Sequence, residues 1–191
     1  MGITQELQNE LFEPRYDRPE TRAAVGSYVE EGMKKVHRHY KENGVRPPKF
    51  RGLTVVLDNL PTYVRKAVDG TYRAVGKVFG SYLPGKRELT VDPAVVYANH
   101  PVRKLLERSG MKVQSPEDVV THELVHAAHD DKGMFRRLWD YFGNNMRDYA
   151  EGLATYVTEK ITGKPQGVYP KEQKLARDFV SRRGYNAALA A

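Results

Sequence analysis

"SPEDVVTHELVHAAHDD" (residues 115–131) puts a helix start, an apolar run and three of the chain's six histidines into one short segment. Ser115 has a side chain that can cap a helix, Pro116 suits the first helical position, and Glu117 and Asp118 favour the positive end of the helix dipole. The predicted helix runs to about Asp130 and stops before Gly133. Val119, Val120, Leu124, Val125, Ala127 and Ala128 make most of its surface apolar. A core helix of this kind is an odd place for a merely solvated histidine pair.

His122 and His126 are four residues apart, so they lie one turn apart on nearly the same face. Two neutral imidazoles placed this way can converge on one Zn²⁺ ion per chain. Glu123, beside the first histidine, is placed to accept a proton from a water molecule that the metal acidifies. A catalytic zinc usually takes three protein ligands. His129 is the tempting third, but it lies a further ~4.5 Å along the axis from His126. A supporting, substrate-facing or surface role suits it better. Glu151, in "DYAEGLATY" (148–156), is the better candidate. It stands among Ala150, Gly152, Leu153 and Ala154, and Gly152 and Ala154 would let its helix approach the first one closely. Asp148, one turn earlier, is the alternative.

The composition sets the frame. The chain has 191 residues, 40% hydrophobic and 29% charged, which is ordinary for one globular domain. Its apolar runs are too short to cross a bilayer, and its N-terminus has no secretory pattern, so no membrane partner and a cytoplasmic setting are expected. With no cysteine, disulfides, thiolate metal sites and cysteine nucleophiles are excluded. A net charge of +7 allows a nucleic-acid partner. The basic residues are spread along the chain among acidic ones, however, so nucleic acid is not the expected partner.

Working outward, residues 1–19 read as a flexible arm and 20–50 as a helix (to about 43) followed by an extended connection at "RPPKF". His37 and His39 on that helix point to different faces and read as solvated. "GLTVVLDNL" (52–60) reads as a buried strand, and 70–96 as two strands joined by "LPGK". Helices are predicted at about 101–109, 135–142 and 146–162, with a final one after Pro170. The fold class is therefore α+β: one domain with a small mixed sheet, an active-site helix, a core over 51–162 and a C-terminal segment over 163–191.

"HELVH" followed 25 residues later by "EGLA", with "GKVFGSYLPGKRELTVDP" ahead of both, resembles the gluzincin clan of zinc metallopeptidases. More narrowly, the pattern is similar to the small minigluzincins, over roughly residues 50–162. The resemblance implies a zincin-like domain with a short sheet over the active-site helix, acting on a peptide or protein substrate. It also implies an edge strand that holds the peptide extended, which falls here on Gly76, Lys77, Val78, Phe79, Gly80, Ser81, Tyr82 and Leu83. A tyrosine ahead of the glutamate ligand would steady the developing oxyanion, and Tyr141 or Tyr149 could take that part. Latency imposed by terminal segments is implied as well; the alternative is that 170–183 packs as a last helix, since Leu175, Phe179 and Val180 recur at helical spacing. A second resemblance, of "HELVHAAHDDKGMFRRLW" (122–139), is to SprT-type proteases that act on DNA-bound proteins. Their third ligand is a downstream histidine, and the comparable position here is Lys132. Two functional readings result: a zinc metallopeptidase, or a zinc-stabilised, DNA-associated module with little turnover.

Overall fold

The computed structural model describes residues 19–58, 60, 62–66, 72–77, 79–96, 101–110 and 114–190. The stretch read as an N-terminal arm lies almost wholly outside them. The fold is α+β: helix α1 (Pro19–Glu42), strands β1 (Thr54–Leu57), β2 (Thr62–Lys66), β3 (Tyr72–Lys77), β4 (Gly80–Leu83) and β5 (Glu88–Val91), then helices α2 (Pro101–Arg108), α3 (Pro116–Asp131), α4 (Met134–Phe142), α5 (Met146–Thr162), α6 (Pro170–Arg183) and α7 (Tyr185–Ala190). Among the described residues no helix is long and apolar enough to cross a membrane.

Helix α3 is the centre of the molecule. Its start is set locally: the Ser115 hydroxyl accepts the Asp118 backbone N–H (3.1 Å) and donates to the Asp118 carboxylate (2.6 Å). From Val119 to His129 every residue is buried. A helix enclosed on all sides must be packed on all sides. α1 supplies one wall, through a stripe of Val25, Val29 and Val36 that joins Val120, Leu124 and Val125 in the core. α5 supplies another through Leu153, Ala154 and Val157.

The sheet covers a third side. Its order is β1–β5–β4, with β1 parallel to β5 and β4 antiparallel to it, Gly80 opposite Val91. β5 is the central strand, with Leu89 and Val91 fully buried; β4 and β1 are the edges, and β1, read from its sequence as buried, instead leaves Thr54 and Val55 exposed. A separate hairpin pairs β2 with β3. The stretch 76–83 is thus not one strand. Gly76 and Lys77 end β3 and pair with Tyr63 and Thr62, Val78 lies outside the described residues, and Gly80–Leu83 alone forms the edge next to α3. The Phe79 carbonyl accepts the Asp92 N–H (2.9 Å), tying that junction to the end of β5.

The C-terminal segment is built into the core. Ala176 on α6 and Ala188 and Leu189 on α7 are fully buried in the core, and Phe179 and Val180 pack against that core. Gly152 has a different role from the one its spacing suggests. A β-carbon there would lie 2.0 Å from the Glu172 carbonyl oxygen, so this glycine admits α6 against α5, not α5 against α3. His39 also departs from its solvated reading. It is half-buried, and its Nε2 lies 2.7 Å from the Tyr185 hydroxyl on α7. His37 is exposed.

Candidate metal centre

The 3.6-residue period of α3 stacks His122 and His126 on the face turned toward α5, and α5 brings Glu151 to meet them. Nε2 of His126 is 3.1 Å from Nε2 of His122, Glu151 Oε2 is 3.2 Å from His122 Nε2, and the same oxygen is 3.4 Å from His126 Nε2. All three side chains are at least three-quarters buried.

This triangle is self-frustrated as a hydrogen-bond network. If both Nε2 atoms carry protons, two N–H groups face each other across 3.1 Å. If only one does, its proton serves one neighbour and leaves a lone pair against a lone pair elsewhere. A cation at the centre removes the conflict, because all three atoms can then present lone pairs. The spacing also fits: ligands about 2.0–2.1 Å from a tetrahedral ion lie roughly 3.3–3.4 Å from one another. The His122, His126 and Glu151 group could therefore hold a metal ion.

Aromatic rings back both imidazoles. Tyr169 stacks on His122 (centroids 6.2 Å apart, 19° between planes) and Phe135 on His126 (6.1 Å, 21°). Tyr169 sits on the bend before α6 with φ 53° and ψ 51°, a left-handed backbone that a tyrosine adopts only when its surroundings hold it there. Tyr169 is 43% exposed; the burial of the rest of its ring, helped by the Glu151 and Glu123 carboxylates, pushes its phenol up to about 12, so it remains a hydrogen-bond donor.

Glu123 lies under the sheet edge. A β-carbon on Gly80 would come within 2.8 Å of the Glu123 Cγ, so β4 can lie directly on this residue only because position 80 is glycine. Burial pushes the Glu123 carboxyl up to about 7. The nearby His122 opposes that shift, Glu151 reinforces it, and the Tyr82 backbone N–H opposes it by donating to the carboxylate. Glu151 goes the other way: burial alone would raise it, but hydrogen bonds from His122 and His126 hold it well below the usual carboxylate range.

Not every residue singled out from the sequence arrives at the centre. His129 is fully buried and faces away, donating from Nε2 to the Ala188 carbonyl of α7 (3.1 Å). It is neither exposed nor a partner of the triangle. Asp148 is exposed on α5. Tyr149 stacks on Phe142 (3.6 Å, 13°), packing in the α4–α5 corner. The Tyr141 side chain lies outside the described residues. Lys132 caps α3 and donates from Nζ to the Arg46 carbonyl, so it stands in for no ligand. Tyr169 is the site residue that sequence reasoning missed. It stands 18 positions after Glu151 in a proline-flanked bend, where no spacing rule points.

Comparisons with protein families, with curated proteins and with solved structures return no match for this chain.

Proposed function

We propose that the protein is a zinc-dependent peptidase in which His122, His126 and Glu151 hold one Zn²⁺ per chain. The observation that supports this reading is the convergence of three ligand atoms at 3.1–3.4 Å beside a buried carboxyl, Glu123, under an open sheet edge. A His₂Glu set of neutral and anionic donors suits zinc. When bound, Zn²⁺ supplies Lewis acidity, lowering the pKa of water toward neutrality and polarising a carbonyl.

The chain's own residues supply the rest. Glu123 accepts the proton that water gives up as its oxygen attacks the peptide carbonyl, then returns that proton to the departing amine nitrogen as the C–N bond breaks. The Tyr82 amide holds the Glu123 carboxylate in place. The outer edge of β4 offers backbone groups to an extended peptide, which would lie along it as an added strand. Tyr169, protonated and stacked on His122, is the phenol that donates to the oxygen on which charge develops. A purely structural zinc would have no use for a buried carboxyl beside its first ligand, which favours the enzyme over the low-turnover module.

The test is a peptide-library cleavage assay on zinc-loaded protein alongside Glu123→Ala. The wild type should cleave. The variant should keep its metal and its melting temperature and lose at least about a hundredfold in rate. A wild type that carries zinc but cleaves nothing in the library, or a Glu123→Ala protein of undiminished rate, would overturn the assignment.

A further inference from the structure

Folding gathers positive charge that the linear order scatters. Lys34, Arg38 and Lys41 recur at helical spacing on the face of α1 opposite its buried Val25, Val29 and Val36 stripe. Arg46, Lys49 and Arg51 come from the loop after α1, and the two walls enclose a groove of about 1120 Å³. Six lysine and arginine side chains line it, and among the described residues it has no carboxylate in its lining. Its apolar floor is Met33 and Phe50. One of the six, Lys34, meets an acid (Glu31 at 3.8 Å), but both are more than half exposed and that pair holds little charge back.

The loop wall is fixed in shape. Phe50 has a positive φ of 49°, and the Lys49 and Phe50 backbone N–H groups both donate to Asp131 Oδ2 at 2.9 Å. Arg87 takes the other Asp131 oxygen at 2.7 Å, and Lys132 Nζ donates to the Arg46 carbonyl. Pro47 and Pro48 stiffen the stretch between. Asp131, beside the loop, is therefore occupied in holding it, and the loop's Arg46, Lys49 and Arg51 remain exposed. Groups set in advance around a charged groove lose less freedom on binding than a mobile tail does.

We propose that this groove binds single-stranded nucleic acid. Cations on two facing walls match a linear polyanion, three of the six are arginines suited to forked contacts with phosphate, and Phe50 and Met33 offer an apolar floor for a base. An anionic membrane would favour a flat or convex cationic face with projecting apolar side chains, and an acidic peptide carries no regular alternation of anion and flat ring to match cations above an apolar floor. The binding is independent of the metal centre.

The experiment is fluorescence anisotropy with a labelled 20-nucleotide deoxythymidylate strand at 50–200 mM salt, with the same strand in duplex form, polyglutamate, and phosphatidylcholine vesicles holding phosphatidylserine as comparators. The wild type should bind the single strand most tightly, with a log–log salt slope of about −0.7 per phosphate contact. Arg38→Glu/Lys41→Glu/Arg46→Glu should weaken binding at least about thirtyfold and flatten the slope by about two. Arg136→Glu/Lys171→Glu/Lys174→Glu, the same charge change at exposed positions on α4 and α6, should change affinity less than about threefold. If the groove triple variant does not fold, Arg38→Gln/Arg46→Gln carries the same test with a smaller expected loss, about fivefold or more. No binding by the wild type, equal losses in the groove and control variants, or tighter binding of duplex, polyglutamate or vesicles than of the strand would each overturn the proposal.

Discussion

His126 and His129 stand three residues apart on one buried helix and do different work. His126 turns toward α5, with its Nε2 3.1 Å from that of His122 and 3.4 Å from Glu151. His129 turns toward α7, fully buried, and donates to the Ala188 carbonyl 59 residues away. Residue type is the same and so is the enclosure. The difference lies in what each face meets: a carboxylate and a second imidazole on one side, a single backbone acceptor on the other. One face could bind a cation, and the other fastens the C-terminus to the core.

The anchoring side breaks most visibly on truncation. Removing everything after residue 163 takes away the buried Ala176, Ala188 and Leu189 and leaves His129 without its acceptor. The expected loss is about 5 kcal/mol or more, comparable to the whole stability of a small domain. In a thermal melt the truncated chain should unfold at a much lower temperature or fail to fold. A truncated protein that melts like the full chain would show that α6 and α7 are appendages.

Gly152→Ala is the next largest. Its β-carbon would lie 2.0 Å from the Glu172 carbonyl oxygen, a backbone atom that cannot swing aside. About 1–3 kcal/mol of destabilisation is expected, readable as a lower denaturant midpoint. An unchanged midpoint would mean that α6 does not sit this close to α5.

His129 makes the comparison pH-dependent. Burial, with the nearby His126 adding to it, holds its pKa down at about 3. Its folded pKa thus lies below the ordinary value near 6.5, so the unfolded chain binds more protons between the two. Stability contributed by the neutral ring is present above about pH 6.5 and is lost as pH falls toward 3, by up to roughly 1.4 kcal/mol per unit. His129→Gln keeps a donor for Ala188 and removes the titration. Its stability should therefore fall less steeply with acid than that of the wild type, and matching acid limbs would disprove the burial argument.

Ser115→Ala is the smallest effect. Losing the cap on the Asp118 N–H should cost about 1 kcal/mol at the start of α3. The metal centre lies farther along the helix and should be untouched, as metal titration would check.

What could be read from the chain, and what could not, divides along the same helix. Ser115, Pro116 and Gly163 act on their own neighbours, so the bounds of α3 and the end of α5 were legible. So were His122 and His126, because a four-residue spacing on a helix is itself a distance. Glu151 was reachable through the demand for a third ligand. The burial of His129 was not, since it depends on Ala188, which lies in what reads as a plain alanine-rich tail. Tyr169 was hidden for the same reason: its place over His122 is made by the packing of α6 at Gly152. The basic groove needed α1 and the 46–51 loop to face each other before scattered cations became one surface. Strand β2 (Thr62–Lys66) was also missed; its sequence, TYVRK, is short, charged and without clean alternation.

If His122, His126 and Glu151, and not His129, hold the proposed zinc, metal content per folded chain separates the two histidines. The measurement is mass spectrometry after zinc loading and desalting, in wild type, His126→Ala and His129→Gln side by side. About one zinc is expected in the wild type and in His129→Gln, and close to none in His126→Ala. Full zinc in His126→Ala, or a folded His129→Gln protein without zinc, would contradict the assignment.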